Sequence, residues 1–233
     1  MLKKVLIALF LITAGAMLSL YLPVDKGEKY GFAPQKGDRT SYKYNMLSIV
    51  EYGNDQARET LDIQFSGVLN TFVKDVSENI TLTFTFLPET VDYAIKPDVA
   101  KSISEPFELV MKPSGEFVRF IFDDRTDEET EMVLKSLVYP LETVRKSEKE
   151  YTDRSSDLTG EFLKEYRVKD STLHIVKARY LQSADEEKDI PVEIIDSRFT
   201  ATLDGKGWLE SVSGFEHLAV DYGPYYKTET ETD

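Results

Sequence analysis

Apolar and polar residues alternate along most of the chain with a period of two, which is the pattern of a half-buried β-strand. One such stretch is "KGDRTSYKYNMLSIVEY" (residues 36–52), and in "NITLTFTFL" the apolar face alternates with threonines. β-Branched and aromatic residues are the types that a pleated surface accepts. The pattern predicts an antiparallel, strand-dominated domain of about nine or ten strands.

Two segments have the features of β-hairpins. In "FELVMKPSGEFVRFIF" (residues 107–122), Pro113 suits the first central position of a turn and Gly115 can adopt a positive φ. In "FTATLDGKGWLESV" (residues 199–212), the pair Asp204 and Gly205 is a hairpin signal. Both segments therefore predict adjacent antiparallel strands.

One segment, "TDEETEMVLKSLVYPLETVRKSEKE", changes to helical spacing. Thr126 and Glu129 are spaced as a capping box, acidic residues fill the first turn, and an apolar stripe follows. We expect a helix over about residues 127–146, which Pro140 should kink or end. The predicted fold is mainly β: a curved or barrel-like antiparallel sheet with one helix packed in or on it.

The N-terminus has the features of a targeting segment. Lys3 and Lys4 precede an uncharged apolar run at residues 5–22, which as a helix would nearly span a bilayer at about 1.5 Å per residue. Residues 1–24 are interpreted either as an uncleaved signal anchor or, since Ala14–Gly15–Ala16 is typical of a cleavage site, as a signal peptide. Both place the remainder outside the cytoplasm, facing the periplasm or the cell exterior, or secreted.

The remaining sequence divides into three parts. Residues 25–39 are rich in Pro, Gly and charge and predict a linker, residues 40–226 the β-domain, and residues 227–233 an acidic, frayed tail. The chain has no cysteine, which excludes thiolate chemistry, disulfides and lipidation at a lipobox. Its net charge of −14 disfavours nucleic acid as a partner.

Few residues point to chemistry. No hydrolase, P-loop or dinucleotide motif occurs, so we assign no catalytic residue and no cofactor. The carboxylates of Asp123, Asp124 and Asp127 are weak metal candidates, since helix N-terminal acids explain them as well. The amphipathic rings of Tyr42, Tyr44 and Trp208 are weak ligand-binding candidates, and a place on the inner rim of the sheet is the alternative.

The order of several short motifs resembles a known family. A Tyr-x-Tyr strand follows "FAPQKGDR", and then come "FSGVL", a long Thr/Phe strand, the first hairpin, the helix and "DLTGEFLKEYRV". This order resembles the N-terminal β-domain of the large lipid transfer proteins, the vitellogenin family, over roughly residues 32–181. The resemblance implies a barrel-like sheet around a central helix. It does not imply the family's lipid cavity, which belongs mainly to parts missing from this chain.

These features together favour a non-enzymatic binding or scaffolding domain of the cell envelope. Its partners would be the membrane, through residues 5–22 if they are not cleaved, and a lipid, another apolar ligand or an envelope protein. Two alternatives remain: a hydrolase that works through separated carboxylates, and a purely structural assembly component. An interior cavity of several hundred Å³ would favour an apolar ligand, whereas a filled interior would place function on the outer surface.

Overall fold

The computed structural model describes residues 17–19, 33–54, 57–91, 101–183, 191–221 and 227–232. Twelve strands lie within these residues, and all neighbouring pairs are antiparallel. The strands are β1 (Met17–Ser19), β2 (Arg39–Asn54), β3 (Ala57–Val76), β4 (Ile80–Val91), β5 (Phe107–Met111), β6 (Phe117–Ile121), β7 (Glu150–Ser156), β8 (Gly160–Lys169), β9 (Thr172–Ser183), β10 (Val192–Leu203), β11 (Leu209–Asp221) and β12 (Lys227–Thr232).

The sheet consists of two meanders that are joined in the middle of the sheet by two short strands. Its order is β6-β5-β4-β3-β2-β1-β11-β10-β9-β8-β7, and β12 also pairs with both β2 and β11. Strands β2–β6 form the first half and β7–β11 form the second half. Between them, β1 pairs through Leu18 with Tyr44 and Val212, and β12 pairs through Thr228 with Tyr52 and Val220. Thus β1 and β12 act as one interrupted strand that joins the halves.

The outer strands of the two halves, β6 and β7, do not pair with each other in the described part of the chain. The sheet is therefore mainly β and antiparallel, as predicted, but it is not closed into a barrel, and the barrel-like alternative is wrong in this respect. The reason is local. The chain between β6 and β7 forms a helix and then an extended segment that lies against both edge strands.

The helix α1 (Glu128–Val138) begins one residue later than the sequence predicts, since Thr126 of the predicted capping box is not the N-cap. Asp127 is the N-cap and its carboxylate accepts a hydrogen bond from the Thr130 amide at 2.9 Å. A short 3-10 turn, Tyr139–Leu141, follows at Pro140. The predicted extent of residues 127–146 is thus too long, because proline cannot continue the helical hydrogen bonds.

The apolar faces of both halves and of α1 meet in one core. Its members come from β2–β6, from β8–β11 and from α1, with Tyr44, Phe65, Phe86 and Leu137 all fully buried. The rings of Tyr44 and Phe86 meet edge to face with centroids 5.8 Å apart. Since buried side chains of α1 belong to the same core as those of both halves, α1 packs against the sheet, as predicted.

The two chain ends differ from the sequence-based interpretation where they are described. Met17–Ser19, inside the apolar run expected to be helical, form β1, and residues 1–16 and 20–32 lie outside the described residues. In the described part of the chain, no helix has the length and apolarity needed to cross a membrane. Residues 227–232, expected to be frayed, form β12, and their alternating threonines suit a strand.

Replacing Leu137 tests the contact between α1 and the sheet. Leu137 is fully buried, so we expect Leu137→Ala to lower the free energy of unfolding by about 2–5 kcal/mol through lost burial and a residual cavity. Leu47 on β2 is 42% exposed, and Leu47→Ala should cost less than about 1 kcal/mol. Urea denaturation followed by circular dichroism measures both, and equal losses would contradict the described packing.

Candidate functional site

The gap between the edge strands β6 and β7 is occupied by residues 142–146, here called the seam segment. Its backbone is hydrogen-bonded on both sides. The Arg145 amide donates to the Ser114 carbonyl of the β5–β6 turn at 2.8 Å, and the Val144 carbonyl accepts from the Tyr151 hydroxyl of β7 at 2.6 Å. The seam segment thus links the two edges without forming a strand.

Glu142 is the most connected side chain of the seam segment, and it is 5% exposed. One carboxylate oxygen accepts from the Phe117 amide of β6 at 3.0 Å. The other accepts from the Ser155 hydroxyl of β7 and from the Lys164 ammonium of β8, the latter at 3.2 Å. One buried carboxylate therefore ties both halves of the sheet together.

Beside Glu142 lies a cavity of about 50 Å³, here called the ionic cavity, with several charged groups in its wall. The Lys177 side chain is part of this wall. Its ammonium contacts Asp157 Oδ2 at 2.8 Å, Glu216 Oε2 at 2.6 Å and the Tyr180 hydroxyl at 3.1 Å, and it lies 4.3 Å from the centroid of the Phe162 ring. The ammonium donates hydrogen bonds to Asp157 and Tyr180, and its contact with Glu216 is an ion pair.

Burial and mutual attraction set the protonation of this group. Burial raises the pKa of Glu216, with the Asp157 carboxylate adding to the shift. Burial also opposes the charge of Lys177, but Asp157 and Glu216 outweigh it and hold the pKa of Lys177 well above its ordinary value. This shift favours the cationic form of Lys177, which lacks the lone pair of an amine nucleophile.

A second cavity, of about 40 Å³ and here called the apolar cavity, lies on the other side of the seam segment. Tyr42 and Trp208 line it, and Thr143 and Arg145 of the seam segment contribute its polar wall together with Thr71. The rest of the lining is aliphatic and aromatic. Burial raises the pKa of Tyr42, so its hydroxyl stays protonated and can donate a hydrogen bond.

The structure separates the predicted ligand-binding candidates. Tyr42 and Trp208 line the same cavity. Tyr44, two residues along β2, lies instead in the core, where its hydroxyl contacts Met46 Sδ at 3.8 Å. Because both tyrosines face inward, the amphipathic ring alone does not distinguish a cavity wall from the core.

The predicted metal candidates have structural contacts around the start of α1. Asp123 pairs with Arg125 at 2.8 Å, which lowers the pKa of Asp123. Asp127 is the N-cap, and Asp124 is exposed. In the described ranges no group of three or more His, Asp or Glu side chains is placed to hold a metal ion.

The charged groups that line the two cavities were not predicted from the sequence, although the sequence contains a signal for several of them. Lys164 stands in phase with Phe162 and Tyr166, and Lys177 stands in phase with Leu173 and Ile175. A charged residue on the inward side of an alternating strand must be buried, and it then requires a partner. Periodicity cannot name that partner, because Asp157 and Glu216 are distant in the chain.

Replacing Glu142 tests its role between the edges. Glu142→Gln keeps the shape but leaves the buried Lys164 ammonium without its carboxylate, so we expect a loss of about 3 kcal/mol in the free energy of unfolding. Glu161→Gln is the matched control, since its pair with Arg154 is exposed, and it should cost less than about 1 kcal/mol. Chemical denaturation of the two variants gives both values, and a neutral Glu142→Gln would refute the bridging role.

The raised pKa of Glu216 predicts a pH dependence of stability. A carboxyl whose pKa is higher in the folded state than its ordinary value of 4.5 contributes its full stabilisation at pH values below 4.5. This contribution is lost as the pH rises through the folded-state pKa. The free energy of unfolding of the wild type minus that of Glu216→Gln should therefore be largest near pH 4 and decrease toward pH 7. Denaturation at a series of pH values measures this difference, with Glu210→Gln on the same strand as control; a difference that grows with pH would contradict the burial argument.

Comparison with known proteins shows a likeness of fold. The sequence matches no family model and no curated protein sequence. A solved structure described as showing lipid–protein interactions in lipovitellin matches with 10% sequence identity and a TM-score of 0.56. The match covers 85% of this chain and 25% of the lipovitellin chain, so this chain spans about a quarter of that protein's length. At this identity the match supports the resemblance to the vitellogenin family as a distant similarity of fold.

Proposed function

We propose that this protein is a non-enzymatic binding or scaffolding domain of the cell envelope that contacts a partner protein through the outer surface of its sheet. The small size of the two cavities found within the described residues is the observation that carries the proposal. The two described cavities measure about 50 and 40 Å³, whereas sites for small organic ligands are typically about 300–1,000 Å³. A lipid chain does not fit into either cavity, so recognition falls to the outside.

An apolar ligand remains the alternative within this class, and the likeness to lipovitellin favours it, because lipovitellin interacts with lipid. This chain corresponds to only a quarter of that protein. The ionic cavity and the apolar cavity, both within the described residues, are too small for a lipid. A lipid would therefore have to bind on the outer face or at the membrane that residues 5–22 would enter.

A carboxylate-dependent hydrolase has one observation in its favour, because Glu142, Asp157 and Glu216 all line the ionic cavity. Their contacts argue for a structural role. Each of the three is within 3.2 Å of a buried lysine, and the cavity of about 50 Å³ has room for water but not for a sugar or peptide. General acid–base catalysis requires the carboxylate to reach the substrate.

The outer surface offers one region suited to a protein partner. In the described part of the chain, β9 and β10 pair with each other at residues 172–175 and 199–202, and beyond that point the Lys177 amide donates to the Ser197 hydroxyl at 3.1 Å. Leu181 and Ile195 lie at β-bulges further along these two strands, with Val176 nearby, and the three side chains are 38–48% exposed. A group of exposed apolar side chains is a feature of interaction sites.

Site-specific crosslinking in cells distinguishes binding of a protein partner from binding of an apolar ligand. A photo-crosslinking residue at Leu181 or Ile195 should capture one protein of defined mass, because these exposed positions would lie in the proposed contact surface. The same residue at Val118 of β6, which is 47% exposed, should not capture it.

Lipid binding is measured in parallel on the full chain purified in a mild non-ionic detergent. Native mass spectrometry after incubation with phospholipid or fatty acid should show no stoichiometric adduct. A one-to-one lipid adduct combined with absent crosslinks would overturn the protein-scaffold proposal in favour of the apolar-ligand alternative.

A further inference from the structure

The position of Arg145 in the apolar cavity is fixed by its backbone. The Arg145 amide is bonded to Ser114, in the turn that carries Gly115 at a φ of +94°. A Cβ at Gly115 would lie 2.2 Å from the Thr143 carbonyl oxygen, so only glycine allows the turn and the seam segment to approach this closely. The guanidinium then lies beside the Thr143 side chain, with Nη2 at 3.4 Å from Oγ1.

The surroundings of this guanidinium are unusual for a cation. Eight apolar side chains line the same cavity, among them Leu82, Phe84, Leu109 and Met111. Burial lowers the pKa of Arg145 to about 10, and it outweighs the opposing effects of Tyr42, Tyr151 and Asp204. An additional negative charge in the cavity would therefore be attracted strongly, because the dielectric screening there is weak.

The size and polarity of the cavity define which anion it suits. A guanidinium presents a planar fork of donors that matches a carboxylate. The Tyr42 and Thr143 hydroxyls are further donors in the same wall. A volume of about 40 Å³ and a mainly apolar lining suit a short hydrocarbon chain with one carboxylate better than the multiply charged phosphate, which has no apolar part.

We propose that the apolar cavity is a binding site for a short aliphatic monocarboxylate, with Arg145 holding the carboxylate and Leu82, Phe84, Leu109 and Met111 contacting the hydrocarbon end. The site lies on the opposite side of the seam segment from the ionic cavity. It does not depend on the proposed protein-binding surface on β9 and β10, and either proposal can fail without the other.

The test is a titration of the full chain, in a mild non-ionic detergent, with carboxyl-¹³C-labelled propionate at constant ionic strength in chloride. Saturable binding is expected in the carbon-13 spectrum. Arg145→Lys should weaken the affinity by about ten-fold, since a point charge replaces the bidentate fork, and Arg145→Met should abolish binding. Arg154→Met, which removes an exposed arginine of β7, is the matched control and should bind as the wild type does.

A second variant keeps the test valid if Arg145→Met fails to fold. Leu82→Phe retains Arg145 but fills the cavity, and it should abolish propionate binding while the protein keeps its circular dichroism spectrum. Absence of saturable binding to the wild type, or unchanged binding to Arg145→Met or Leu82→Phe, would overturn the proposal.

Competition experiments define the ligand class. Acetate and butyrate should displace propionate, whereas inorganic phosphate should not. Equal displacement by phosphate would indicate a general anion site and overturn the carboxylate assignment. Tighter binding of octanoate than of propionate would identify a fatty acid whose chain leaves the cavity, and would overturn the assignment to short acids.

Discussion

The structure depends on the contacts that join the two edge strands of the sheet. Strands β6 and β7 end the two halves, and neither has a strand partner on its outer side in the described part of the chain. The Glu142 carboxylate spans this gap by accepting from Phe117 on β6, from Ser155 on β7 and from Lys164 on β8, the strand next to β7. Unpaired edges invite association with other chains, so a buried carboxylate that joins them keeps the domain closed.

The seam segment lies between the ionic cavity and the apolar cavity. Glu142 faces the ionic cavity, while Thr143 and Arg145 face the apolar cavity. Both cavities are too small for a lipid chain, at about 50 and 40 Å³. Their linings also differ in charge: the ionic cavity contains lysines and carboxylates, and the apolar cavity combines the Arg145 guanidinium with hydroxyl-bearing and apolar side chains.

Much of the fold follows from the sequence because local patterns determine it. The period of two predicts the strands, Asp204 and Gly205 mark a hairpin, and Pro140 marks the end of α1. The connection of the halves through β1 and β12 could not be predicted, since it depends on pairing between residues distant in the chain. For the same reason the sequence suggested Tyr42 and Trp208 individually but did not indicate that Arg145 lies with them.

Amide hydrogen exchange at Phe117 tests the central claim most directly. The Phe117 amide lies on an edge strand and is protected only if the Glu142 carboxylate accepts its hydrogen bond. In the wild type it should exchange as slowly as the amides of the central strands β2 and β3, and the Arg145 amide of the seam segment should be similarly protected. Exchange of both amides at the rate of an exposed loop would show that the edges are not joined and would contradict the account.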